Sequence, residues 1–280
     1  MTKRIKIFAM ILAGALCIAG PARAYDLDRH VGPKGMLHLY VGTNMSQVEY
    51  NEPDIGVSHN ITYFPGLVAK ISIENPNEFM FFTQASYKYL SGKYDYNGYV
   101  QDMAGRRRDY NESALPVSKH DFEAVVGTFA GSFRLFAGVQ YELYNDDGYQ
   151  VNDYFYKRTR SSYYGVIGAG VRKEWEDYRS LELVVKAKPL LQSYHDSRLS
   201  DLGGMFADVP TLHQKQESGF RFDVSVIYQY EMLWVEPYFS YTGISETEKT
   251  AFCMGGGLCG TAQEPANKTI EFGVNIGIRF

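Results

Sequence analysis

The chain has 280 residues, 45% hydrophobic, 21% charged and 15% aromatic, with 23 Tyr and 17 Phe. That length suits one large all-β domain or two ordinary globular ones, and the aromatic content is high for a cytoplasmic enzyme. Residues 1–24 carry four basic residues and no acidic one, so their loss takes the formal charge from −4 to −8. A chain this acidic is a poor partner for nucleic acid, so none is expected. The only tight basic cluster, Arg106-Arg107-Arg108, sits in a polar stretch.

The first residues have the layout of a secretory signal. Lys3, Arg4 and Lys6 precede an apolar run from Ile7 to Gly20, and Ala22-Arg23-Ala24 offers a small-x-small cleavage site before Tyr25. The run is too short for a comfortable helical span. Cys17 follows Leu16 rather than a small residue, so it reads as part of the signal and not as a lipid acceptor. The expected organisation is a cleaved signal over 1–24 and one barrel domain over 25–280. Cys253 and Cys259, separated by a Gly-rich stretch, are expected to form a small disulfide loop in an oxidising compartment.

Beyond residue 24 the chain repeats segments in which alternate positions are apolar or aromatic. In chain order they lie near 35–43, 63–74, 79–90, 120–130, 133–144, 162–175, 181–190, 219–230, 233–242 and 269–280. The second is typical: Leu67, Ala69, Ile71 and Ile73 alternate with Val68, Lys70, Ser72 and Glu74. A closed membrane barrel needs this period-two pattern, with lipid on one face and a more polar interior on the other. The gaps run long, short, long, short. Segments 44–60, 91–118, 145–161, 191–218 and 243–268 are long and polar, whereas the connections between them are a few residues. The expectation is therefore an all-β, ten-stranded antiparallel transmembrane barrel with five long extracellular loops, short periplasmic turns and both termini in the periplasm. Pro237 falls inside the ninth segment, where it removes a ladder donor, so a bulge or a shifted strand limit is expected there.

If the apolar set meets lipid, the other set faces the lumen. It includes Lys70, Lys88, Glu123, Arg134, Glu142, Arg172, Glu182, Lys186, Lys188, Arg221, Asp223, Glu236 and Glu271. Both signs occur in comparable numbers, and buried charges persist when paired. Ten strands make a narrow barrel that side chains nearly fill, so a largely closed, salt-bridged lumen is expected. Gly127, Gly138, Gly168 and Gly170 make room beside Phe129, Phe136 and Trp234. A narrow small-solute channel is the alternative.

The carboxyl terminus, EFGVNIGIRF, resembles the terminal strand of Gram-negative outer-membrane barrels, which usually ends in Phe. The matching positions are Phe272, Val274, Ile276, Ile278 and Phe280. The resemblance implies the outer membrane as location, contact with lipid and lipopolysaccharide, and recognition by the barrel-assembly machinery. No cofactor and no metal are expected; a monomer is.

Chemistry in a small barrel usually sits at the outer mouth. His195-Asp196 lies at the top of the seventh segment and Asp95 at the top of the third. A His beside carboxylates can activate water as a general base, and acidic groups attract basic substrates. The layout is similar to that of the omptins, ten-stranded outer-membrane proteases with an Asp pair on one side of the mouth and an Asp–His pair on the other. This sequence has Asp95 alone, with Asn97 two residues on, and His195 directly followed by Asp196. Neighbours on a regular strand face opposite ways, so His195 and Asp196 cannot both face the lumen. The leading expectation is accordingly a surface barrel that binds a host protein, surface partner or glycan through Tyr-rich loops, with an omptin-like endopeptidase acting on basic peptides as the enzymatic alternative.

Overall fold

The computed structural model describes residues 36–75, 81–101, 107–151, 154–175 and 179–280. The expected signal peptide lies outside them. The strands are β1 (Met36–Glu52), β2 (Val57–Asn75), β3 (Phe81–Gln101), β4 (Arg107–Ala130), β5 (Phe133–Asp146), β6 (Lys157–Glu174), β7 (Arg179–Arg198), β8 (Leu212–Gln216), β9 (Gly219–Tyr230), β10 (Leu233–Ile244), β11 (Thr250–Cys253), β12 (Cys259–Ala262) and β13 (Asn267–Arg279). Ten of them close a barrel: β1 to β7, then β9, β10 and β13, each antiparallel to its neighbours, with β13 returning to β1. Closure matters because lipid offers no hydrogen bonds to an open edge. β8 lies above β9 and pairs with the outer part of β7, while β11 and β12 form a separate hairpin. The Cys253–Cys259 disulfide joins that hairpin.

The strands run well past the limits suggested by alternation alone. Only residues 53–56 separate β1 from β2, and β3 and β4 pair over most of the stretch that reads as a loop at 91–118. The outward half of the molecule is thus largely wall. Polar residues on both faces hide this in the sequence, because a strand above the membrane meets water outside and a polar chamber inside.

Within the membrane half the period-two pattern holds. Leu37, Leu67, Leu135 and Ile167 are about 60% exposed on the outer face, as side chains facing hydrocarbon must be. Pro237 keeps its place: β10 pairs Val235 with Tyr228 and Tyr238 with Ser225 at constant register, so neither a bulge nor a shifted strand limit is needed. On its other side Pro237 pairs with Val274.

The lumen is filled in layers. At the periplasmic end Tyr40, Phe82, Phe136 and Trp234 pack with Val68, Val125, Val166 and Val184, with Phe129 against them. Gly168 is required here, since a Cβ would sit 2.2 Å from Phe136 Cζ. Below the aromatic plug Arg172 reaches Glu74 at 3.4 Å, and Arg134 pairs with Glu182. Above it lies a dense charge layer. Glu271 accepts from Lys119 (2.9 Å), Lys88 (3.1 Å) and the Tyr238 hydroxyl (2.6 Å). Lys188 bridges Glu123 (2.7 Å) and Asp223, Lys186 also holds Glu123, Arg221 holds Glu142 at 2.8 Å, and Lys70 holds Glu236. All of the charged residues assigned to the lumen by alternation lie in these pairs. Lys119 and Asp121, which fall at the edge of the fourth segment, join them. The cavity left in this layer is about 100 Å³, well below the few hundred Å³ of a ligand pocket. The barrel is closed.

Candidate functional site at the outer mouth

Above the charge layer three strands change the face they present. β2 pairs Phe64 with Ser46 but Ile61 with Val48, one residue extra on β2. Below this bulge Phe64 and Val68 point inward; above it Val57, His59 and Ile61 do. β4 carries an extra residue between Glu112 and Leu115, with Ala114 at φ +63°. β7 carries one between Leu190 and Gln192. Below it Val184, Lys188 and Leu190 are buried; above it Ser193, His195 and Ser197 are. A single inserted residue reverses every side chain beyond it. Bulges therefore deliver both His59 and His195 to the interior.

His195 Nε2 faces Glu264 Oε1 at 3.6 Å, and the same oxygen accepts from the Ser197 hydroxyl at 3.0 Å. Glu264 comes from the segment after β12 and is itself buried. On the other side of the chamber His59 is stacked between Tyr50 and Tyr94, with ring centroids 4.9 and 4.6 Å away. The Tyr94 hydroxyl bonds both carboxylate oxygens of Asp146 at 2.9 Å, and Arg158 clamps Asp146 from β6 at 2.6 and 3.1 Å. Glu52 accepts from the Tyr50 hydroxyl at 2.7 Å and has no ion-pair partner among the described residues. The chamber thus holds the carboxyl groups of Glu52, Asp146 and Glu264 against Arg158, while Arg160, at its floor, is turned to Glu142 at 3.2 Å.

Burial sets the protonation states. It lowers His195, with Glu264 opposing, and lowers His59 to about 3, with Arg158 adding to the effect. Both imidazoles are neutral at neutral pH. Burial also raises Glu52, against Arg158 and Tyr50. For Glu264 burial acts upward too, but His195, Arg158 and Ser197 overcome it and keep the carboxyl below its ordinary range. The result is a neutral imidazole whose Nε2 lies 3.6 Å from a carboxylate, beyond hydrogen-bond distance.

The two aspartates singled out by sequence lie elsewhere. Asp95 is exposed on the outer face of β3, where its Oδ1 accepts the Ala114 N–H at 3.3 Å and so pins the β4 bulge. Asp196 faces outward and pairs with His213 Nδ1 at 2.7 Å on the outside of the wall. Neither meets His195. Glu264, His59, Glu52 and Asp146 escape sequence reasoning because they lie in stretches that read as loops; only His59 carried a signal, as a histidine in an aromatic neighbourhood. The Tyr-rich segments also turn inward in part: Tyr94 and Tyr164 are buried, whereas Tyr154 is exposed. Among the described residues no group of three His, Cys, Asp or Glu side chains is placed to hold a metal.

No protein-family model matches the chain, and no curated protein matches it. Solved structures do. The outer-membrane protease OmpT of Escherichia coli superposes with a TM-score of 0.59 at 12% identity, over 90% of this chain and 99% of that one. Weaker likenesses include the attachment invasion locus protein Ail of Yersinia pestis (TM-score 0.34, 8% identity, 87% and 99% covered) and the Neisserial surface protein A (0.31, 9%, 86% and 97%). The chain is an outer-membrane β-barrel. More narrowly, its ten closed strands have an omptin-like layout, and its location is the outer membrane with the loops at the cell surface.

Proposed function

We propose that this barrel is a surface endopeptidase that cleaves basic peptides at its outer chamber. The observation that carries this reading is His195 turned inward by the β7 bulge to face buried Glu264, above a sealed floor. The omptin-like layout supports it, because OmpT is an outer-membrane protease. A neutral His195 takes a proton from water as the water attacks the peptide carbonyl; Glu264 stabilises the imidazolium, which returns that proton to the amine nitrogen as the tetrahedral intermediate collapses and the C–N bond breaks. Arg158 lies in the same chamber, where its charge favours a developing oxyanion. The chamber's carboxyl groups favour Lys or Arg side chains in the substrate. Of the three residues singled out by sequence this reading keeps His195, and Glu264 stands beside it in place of Asp196 and Asp95.

The test uses protein refolded in detergent with lipopolysaccharide and a fluorogenic basic peptide. His195→Ala should lower kcat/KM by about 10²–10⁴-fold, and Glu264→Gln by a smaller factor, with the fold verified by heat-modifiable gel migration. Cleavage unaffected by His195→Ala rejects the assignment. Binding of a surface partner through exposed tyrosines such as Tyr154 remains the non-enzymatic reading, and is favoured if no peptide is cleaved.

A further inference from the structure

The outer wall has a discontinuity beside β8. β10 ends at Ile244, so the line it would continue is taken by segments 245–249 and 263–266 instead of a strand. The backbone bond nearest β8 on that side runs from Ser245 N–H to Ser218 O, beyond the strand end. For Leu212–Gln216 itself, no backbone bond to this segment is present among the described residues. Side chains hold the segment instead. Gln216 Nε2 donates to Ser245 O at 2.9 Å, and Gln214 Nε2 donates to Ala262 O at 3.1 Å and to Thr247 Oγ1 at 3.2 Å. Both glutamines are buried, at 0% and 3% exposure, yet the Oε1 of each has no partner. Asn267 Oδ1, buried at the start of β13, has none either.

From this geometry we infer that Gln214 and Gln216 form a main-chain-reading pair for an extended polypeptide, and that residues 245–249, directly after β10, are its displaceable stand-in. The inference rests on the peptidase reading for the identity of the ligand. Residues two apart on one face of a strand repeat every ~6.8 Å, and so do the main-chain groups on one edge of an extended peptide. Each side-chain amide can give one hydrogen bond to a peptide carbonyl and take one from a peptide N–H. The loop uses only the donor half: Ser245, Thr247 and Ala262 offer oxygen acceptors to the two glutamines and no N–H group. An added strand would use both halves and also pair with the open edge of β8, as in strand addition to a sheet. Its backbone would then run where residues 245–249 now lie, alongside Glu264, which stays beside His195 and Ser197.

Binding is read in the His195→Ala background, so that cleavage plays no part. The probe is a fluorescent peptide of alternating Lys and Thr, followed by anisotropy with the refolded barrel in micelles. N-methylation of alternate residues along one edge removes its N–H donors, and the affinity should fall about tenfold. Gln214→Ala with Gln216→Ala should cost a similar factor, and outward-facing Gln192→Ala nothing. Saturating peptide should also speed hydrogen exchange at the Thr247 and Glu264 amides, which are bonded within the loop at 2.9 Å. Equal binding of the methylated peptide, or by the folded double variant, overturns the inference, as does unchanged exchange with peptide bound. Strong, donor-dependent binding without any cleavage by the unsubstituted protein would leave this inference standing and reject the peptidase.

Discussion

The middle of the lumen and the outer chamber are both polar and both buried, yet they are built on opposite rules. In the middle layer the strands keep one parity, and carboxylates and cations are matched across the barrel: Glu271 alone has three donors. In the outer chamber three strands bulge, aromatic and acidic groups mix, and several buried atoms stand without partners, including His59 Nε2, His195 Nε2 and Arg160 Nε. The middle layer has fewer such atoms, Asn44 Oδ1 and Asp121 Oδ2, and the latter still lies 3.4 Å from Lys119 Nζ; a network this nearly saturated locks the structure and has little left to offer a ligand. An unsaturated one carries the free-energy cost of unpaired polar groups, roughly 1–3 kcal/mol each, and this is where binding can return it. Polarity alone therefore does not mark the site; incomplete pairing does.

The contrast can be broken at either level. The largest effect belongs to His195→Ala, expected to cut peptide cleavage by about two to four orders of magnitude while leaving thermal unfolding nearly unchanged. Glu271→Ala should do the reverse. It strands Lys88 and Lys119 in the lumen and should cost about 3–5 kcal/mol of stability, read as a lower temperature for the heat-induced gel shift, with kcat/KM of the surviving folded fraction retained. Swapped outcomes would erase the distinction between the layers. The next effect is in pH. His195 must be neutral to act as a base, and burial lowers its pKa below 6.5. Activity should hold through neutrality and fall only as the pH drops through that lowered value, about tenfold per unit; loss already setting in above pH 7 would contradict a buried base. The same sign applies to stability: His59 and His195 bind protons more readily unfolded than folded, so acidification from the ordinary histidine range towards about 3 should progressively weaken the chamber. The smallest effect is at the β4 bulge. Asp95→Ala should cost about 1 kcal/mol by releasing the Ala114 N–H, while Ala114→Gly, which suits φ +63°, should return a similar amount. Neither should change cleavage more than about twofold, whereas a large loss in Asp95→Ala would restore that residue to the catalytic set.

How legible the molecule was in its sequence follows the same division. In the membrane half alternation is enforced by hydrocarbon, so Leu67, Ile71 and Ile73 could be placed outside and Lys70 inside from period two alone. Pro237 looked like an interruption but is absorbed without a register change, because one missing donor does not alter a ladder held on both sides. Above the membrane that enforcement ends. The bulges on β2 and β7 are single extra residues near Pro65 and Pro189 with no other compositional sign, and each inverts the reading beyond it. Extending β7 in regular alternation from Lys186 and Lys188 would have put Asp196 inside and His195 outside, the opposite of what the bulge produces. Asp95 failed for the converse reason: β3 keeps its parity through Tyr94, so Asp95 must face out. Glu264 needed knowledge of how a distant loop folds back, which local pattern does not contain.

The length of the walls has one more consequence. β4 spans 24 residues, which at about 3.3 Å per residue is a path of ~80 Å. Inclined by ~40°, it stands ~60 Å tall against an apolar band of ~25 Å. Much of that height is on the cell's exterior, so the chamber opens like a chimney above the lipid headgroups. Whatever reaches His195 arrives from the surrounding fluid, and a large folded protein can offer it a loop without touching the bilayer.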